Sequence, residues 1–270
     1  MDARRRFISR ENVGIISSAI LGDLIDGRPE QAPFTESAYK NYKIGSRLWR
    51  PDGTVWHYCK AGSNGVVNPY WDRGLVSLVV PETLAVIGAT PVGSTTVVIN
   101  DTDVTHGADY WENGKAEFWA SPAPATFQHR MIKSSTPSDG TSVTLTLYEP
   151  LTNALADGDG LEICRSPYAE VDQATAVANS TSMSIVGVPL MLVTAEYYFW
   201  VQTWGPCTLA ATVGTMGNTA SSRQVYFNHN DGTVLTEEEA GFVAGAQPAG
   251  YLLPSSAGGA QTIVFLQLDA

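Results

Sequence analysis

The chain has 270 residues and is 44% hydrophobic, enough for a sizeable core in one large or two modest domains, while its three cysteines are too few for a disulfide framework. Only 16% of its residues are charged, which excludes a surface laced with ion pairs and leaves one rich in Ser, Thr, Asn, Gly and small apolar side chains. A net charge of −11 argues against a nucleic-acid-binding surface.

The chain opens on MDARRRFISR, where Arg4, Arg5, Arg6 and Arg10 face one acid, Asp2, so the rest of the chain is more acidic than the whole. Such an arm is either a solvated tail or a strap that reaches an acidic neighbour. No apolar run follows the arginines, so no signal peptide is expected, and VGIISSAIL at 13–21 is too short to span a bilayer. Val13, Ile16, Ile20, Leu21, Leu24 and Ile25 recur at helical spacing and predict a helix over 11–27, so that 1–44 reads as arm plus helix.

Residues 45–62, GSRLWRPDGTVWHYCKAG, place His57 and Cys59 two apart, which on a strand puts a thiol and an imidazole on one face. A hairpin accounts for the run first. PDG supplies the turn, Trp49, Trp56 and Tyr58 supply cross-strand aromatic pairs, and a thiol in a strand interior is poorly exposed for attack. No catalytic residue is assigned.

Beyond it, about 88–171 reads as an inserted β-domain, with TTVVIND, SVTLTLYE and LEICRS as strands separated by ENG, SDG and DGDG turns. NDTDVTHGAD at 100–109 gathers Asn100, Asp101, Asp103 and Asp109. It lacks the spacing and closing Glu of a calcium loop and reads as an acidic turn. Weaker helical patterns cover 168–180 and 237–246. Around them MSIVGVPLMLV, EYYFWVQTW, RQVYFNHN and TIVFLQLD continue the strands, so 45–87 and 172–270 form one main β-core. EYYFWVQTW carries aromatic residues on both faces and is expected to lie between sheets or between subunits. The expected fold is mainly β: a β-sandwich or β-barrel core, an inserted small barrel-like domain and few short helices.

His57, His106, His129 and His229 make no metal-ligand spacing, and GxSxG, P-loop and GxGxxG motifs are absent. No metal and no cofactor is expected, and the cysteines are expected to be reduced and mostly buried in a protein assembled in a cytosol.

Four segments carry a resemblance. FQHRMIKSSTPSDGTSVTLTLYEPLTNALADGDGLEICRSPYAEV, 127–171, resembles a module of tailed-bacteriophage virion proteins at Arg130, Ile132, Lys133, Ser134, Leu145 to Leu151, and Ser166, Pro167 and Tyr168, with Ser166 standing where that module has Asn. GVPLMLVTAEYYFWVQTWGPCTLAA, 187–211, and PAGYLLPSSAGGAQTIVFLQLD, with Gly250, Leu266 and Leu268, are similar to the same phage head-associated proteins. The hairpin resembles theirs at Gly45, Arg47, Asp52, Gly53, Tyr58, Ala61 and Gly62.

The resemblance implies a head decoration, or capsid cement, protein on the virion surface, assembled in a bacterial cytoplasm. Its partners would be the major capsid protein and further copies of itself, as a homotrimer, with neither nucleic acid nor membrane bound. On that reading Arg4, Arg5, Arg6, Phe7 and Arg10 in the arm and Trp49, Trp56 and Trp204 as anchors meet partners. The alternative is a tail or fibre component that recognises a host glycan through its tryptophans.

Overall fold

A computed structural model describes residues 19–21, 24–25, 27–68, 70–119, 127–176, 184–212, 216, 223–253 and 261–269. The chain forms two units, one from residues 79–167 and one from the segments on either side of it. In chain order the first segment gives β1 (Ala19–Leu21), β2 (Arg47–Trp49), β3 (Val55–Lys60) and β4 (Leu75–Ser77). The inserted unit gives β5 (Glu82–Ala85), β6 (Thr96–Ile99), β7 (Lys115–Trp119), β8 (Phe127–Ser135), β9 (Val143–Leu147) and β10 (Gly160–Cys164). The returning segment gives β11 (Val171–Gln173), β12 (Ile185–Gly187), β13 (Tyr198–Ala210), β14 (Gln224–Phe227), β15 (Val234–Leu235), β16 (Pro248–Leu252) and β17 (Gln261–Gln267).

The inserted unit is an antiparallel barrel. Its strands run β5-β10-β7-β8-β9-β6, and the ends meet where Val86 bridges Ile99 and the Ile87 N–H donates to the Val98 carbonyl at 2.8 Å. Closure leaves those edges paired, and the alternation along each strand sends Val97, Phe118, Ile132, Leu145, Leu161 and Ile163 inward to one apolar core.

The main unit is built on an eight-stranded sheet, β1-β2-β3-β13-β17-β16-β14-β15, with β11-β4-β12 as a second, three-stranded sheet. A parallel bridge between Ala211 and Val234 ties the end of β13 back to β15, so the C-terminal half of the large sheet curls around Cys207, Leu209, Val225, Phe227, Val264 and Leu266. The fold class expected from sequence, mainly β with a small inserted barrel, is the one observed.

The centre of the main unit is β13. Trp200 stands opposite Tyr58, and Phe199 opposite Cys59, so successive residues face opposite sides and all are buried. One side is roofed by residues 27–46: Tyr42 packs 5.2 Å from both Tyr58 and Trp200, and the buried Gln31 accepts from the Tyr58 hydroxyl at 2.8 Å. The Trp200 indole donates to the Gln31 carbonyl at 3.1 Å, which leaves this wall of aromatics with its polar edges satisfied. For Phe199 and Trp200, of the two placements open to this strand, the one inside the chain is realised.

Three helical expectations are corrected. Ala19–Leu21 is a strand antiparallel to β2, and Leu24 bridges Tyr42; residues 11–18 lie outside the described residues. The stretch is rich in β-branched residues and flanked by Gly14 and Gly22, and pairing with β2 covers that strand's edge. Over 168–180 a strand, β11, precedes one 3-10 turn at Ala174–Ala176, with 177–180 outside the described residues. Residues 237–246 form turns, cut by Gly241 and Gly245 at φ +102° and +90°.

The domain boundaries also move. The insert begins at 79 because β5 pairs with β10, and it ends at 167 because Tyr168 and Val171 belong to the core, the first through its carbonyl bonded to Lys60 N–H and the second bridging Ala61. Residues 27–44 belong to the main core as the roof over Trp200.

Candidate functional site

The hairpin forms as its sequence directs. Arg47, Leu48 and Trp49 oppose His57, Trp56 and Val55, Gly53 takes φ +80°, and Asp52 accepts from the Thr54 N–H at 3.0 Å. Its two faces then diverge. Leu48 and Trp56 turn into the core, while Trp49 on the other face is 47% exposed.

Register carries that outward face across the sheet. Trp49 opposes Val55, and Val55 opposes Trp204, so the two tryptophans project to the same side. A bulge between Gln202 and Trp204, with Gly205 at φ +94°, re-aims the strand there. Beyond it Pro206 opposes Phe265, and Phe265 opposes Tyr251. The Trp204 ring meets Phe265 edge-on at 5.7 Å, and Phe265 stacks on Tyr251 at 5.2 Å with 7° between planes. Ile263, two residues before Phe265, is exposed on the same side.

Around Trp204, Phe265 and Tyr251 the row is neutral, while at its Trp49 end Arg47 lies on the same face and pairs with Asp269 at 3.2 Å. No Asp, Glu, Lys or Arg occurs in β13, β14, β16 or β17. The polar members beside the aromatics are Thr208, Gln224, Gln261 and Gln267. A surface of this kind gains from being covered and repels nothing by charge.

Of the residues expected from sequence to meet partners, Trp49 and Trp204 share this face. Trp56 does not: it is 1% exposed, its indole donates to Thr54 Oγ1 at 3.0 Å, and the Phe34 ring packs against it at 5.3 Å. The alternation that turns Trp49 outward turns Trp56, opposite Leu48, inward. Arg4, Arg5, Arg6, Phe7 and Arg10 lie outside the described residues. Phe265 and Tyr251 were missed by sequence reasoning. The signal was there in TIVFLQLD, where Ile263 and Phe265 alternate with Val264 and Leu266, making both faces apolar.

His57 and Cys59 belong to the buried part of the same sheet face. Each is engaged elsewhere. The Cys59 thiol donates to the Phe199 carbonyl at 3.4 Å, and burial pushes its pKa well up. The His57 ring stacks on Tyr168 at 4.6 Å, its Nδ1–H donates to Thr203 Oγ1 at 3.1 Å, and its Nε2 accepts from Arg47 Nε at 3.3 Å. Burial lowers the His57 pKa to about 4, against the Asp269 carboxylate, which raises it, and with Arg47, which lowers it further. A neutral, clamped imidazole beside a protonated thiol is a packing arrangement. All three cysteines are free, Cys59 and Cys207 buried and Cys164 half-buried.

The acidic run at 100–109 is a turn whose carboxylates serve it. The buried Asp101 accepts from His106 Nδ1 at 2.8 Å and from the Trp111 indole at 3.2 Å, and Asp103 accepts from the Thr105 N–H. Among the described residues no group of three or more His, Cys, Asp or Glu side chains is placed to hold a metal ion, and no helix is long and apolar enough to cross a membrane.

No protein-family model, no curated protein and no solved structure matches this chain.

Proposed function

We propose that the chain is a non-enzymatic decoration protein of a tailed bacteriophage head, which binds the outer surface of the assembled capsid and associates with copies of itself as a homotrimer. The observation that carries this reading is the outward row of Trp49, Trp204, Phe265 and Tyr251, the last three of them on strands without a charged side chain. Such a face suits permanent burial against protein, and aromatic anchors dominate contacts of that kind. The resemblance supports it too: the segments 45–62 and 187–211 supply β2, β3 and β13 at the centre of the main unit, and 127–171 supplies three strands of the barrel. A protein that binds only the assembled shell stabilises it by mass action, and symmetry multiplies modest contacts into avidity. The basic arm and acidic body add charge complementarity between neighbours.

The test is light scattering on the isolated protein, followed by sedimentation with undecorated capsids. The expected outcome is a trimer that co-sediments in saturable amounts. Replacing both Trp49 and Trp204 by Ala should lower occupancy at least tenfold without loss of fold, and removing residues 1–10 should weaken attachment. A monomer that stays in the supernatant overturns the proposal.

A further inference from the structure

The barrel of the inserted unit has an outward face of different chemistry. Trp119 ends β7 and Phe127 begins β8, directly opposite, and Gly160 of β10 opposes Trp119 from the other side. With no side chain at Gly160, the indole lies over it: a Cβ there would fall 2.5 Å from Nε1, 2.5 Å from Cε2 and 2.7 Å from Cζ2. The indole therefore packs over the Gly160 backbone, and alternation with the inward Phe118 puts Trp119 on the outer side of the barrel. Trp119 is half-buried, and Phe127 beside it is 57% exposed.

Two residues further along each strand runs a polar row. His129 opposes Glu117, Glu117 opposes Glu162, and Glu162 opposes Thr83. His129 Nε2 lies 3.4 Å from Glu117 Oε1, and Thr83 Oγ1 lies 3.5 Å from Glu162 Oε2. Two carboxylates directly opposed on neighbouring strands repel, and a polar partner at each end of the row, His129 on Glu117 and Thr83 on Glu162, partly offsets the repulsion.

We infer that this face binds a neutral saccharide. A pyranose presents an apolar C–H face and a rim of hydroxyls. The C–H face stacks on the outward side of the Trp119 indole with Phe127 as its edge, and the hydroxyls donate to the Glu117 and Glu162 carboxylates. The charges select among partners. Opposed carboxylates turn away phosphates and acidic sugars, and a cationic partner, which they would attract, is the competing outcome of the test. This inference concerns the inserted unit and does not rest on the proposed capsid attachment.

The test is calorimetric titration of the full chain with maltohexaose, cellohexaose, xylohexaose and chitohexaose, each to 10 mM on the order of weak single-site binding. At least one is expected to bind, and Trp119→Ala to weaken that binding tenfold or more while Trp49→Ala leaves it unchanged. Gly160→Ala, which pushes the indole off its seat, should weaken it as well. If Trp119→Ala does not fold by circular dichroism, Phe127→Ala and Glu117→Gln carry the same comparison. Failure of all four sugars to bind, or undiminished binding after these substitutions, overturns the inference. So does Trp119-dependent binding of hexalysine in place of the sugars, which would make the partner a cation.

Discussion

Folding holds His57 in its neutral form. The side chain is 3% exposed, stacked on Tyr168 and bonded to Thr203 and Arg47, with its pKa at about 4 against an ordinary 6.5. The unfolded chain therefore takes up a proton below about 6.5 that the folded chain refuses until about 4. Stability from this residue is full above the upper value and lost as pH falls through the window, by about 3 kcal/mol in all. Urea midpoints of wild type and His57→Gln, taken from pH 7 to pH 4, should differ most at the top and converge toward the bottom. Parallel curves would show that His57 is not the group responsible. The His57–Cys59 spacing was plain in the sequence, but what each atom touches was not, because Tyr168, Thr203 and Phe199 come from distant parts of the chain.

At the scale of elements, the strands follow from alternation and turn chemistry. PDG, SDG and DGDG turned where they were expected to, with Gly53, Gly140 and Gly158 at positive φ. The helix predicted for 11–27 failed over 19–21, since apolar residues spaced three and four apart with β-branched members among them also suit a strand that finds a partner, and β2 is that partner. The pairing of β16 with β17 shows how tightly elements approach. Gly250 has φ +142°, and a Cβ there would sit 1.9 Å from the Phe265 carbonyl oxygen. Gly250→Ala should cost about 4 kcal/mol, since both backbone strain and a clash with main chain oppose it. Gly241→Ala is the control, because φ is +102° there but nothing lies within 4 Å, and about 1 kcal/mol is expected. Equal thermal shifts for the two would mean that the close approach of β17 contributes nothing.

For the whole molecule, the insertion point is itself a closed piece of structure. Ser77 pairs with Val171, and the Leu78 N–H donates to the Glu170 carbonyl at 2.9 Å, so the chain leaves and re-enters the main unit between hydrogen-bonded neighbours. Replacing residues 79–167 by a short Gly-Ser turn is predicted to leave the main unit folded, and the excised barrel to fold alone. Each should melt cooperatively by circular dichroism. A main unit that loses its sharp transition on excision would refute independent folding.

Composition, alternation and turn residues determined that this chain is mainly β, that a barrel-like unit interrupts a larger core, and that aromatic residues crowd its central strand. These are local properties, written in neighbours along the chain. Which tryptophans stay in contact with water was decided by register alone: one-residue parity put Trp49 outside and Trp56 inside the same hairpin. The outward row of Trp49, Trp204, Phe265 and Tyr251, and the indole laid over Gly160, unite residues far apart in sequence. Strand order and bulges create such neighbours, because the free energy that selects them comes from the assembled sheet and from no single segment of it.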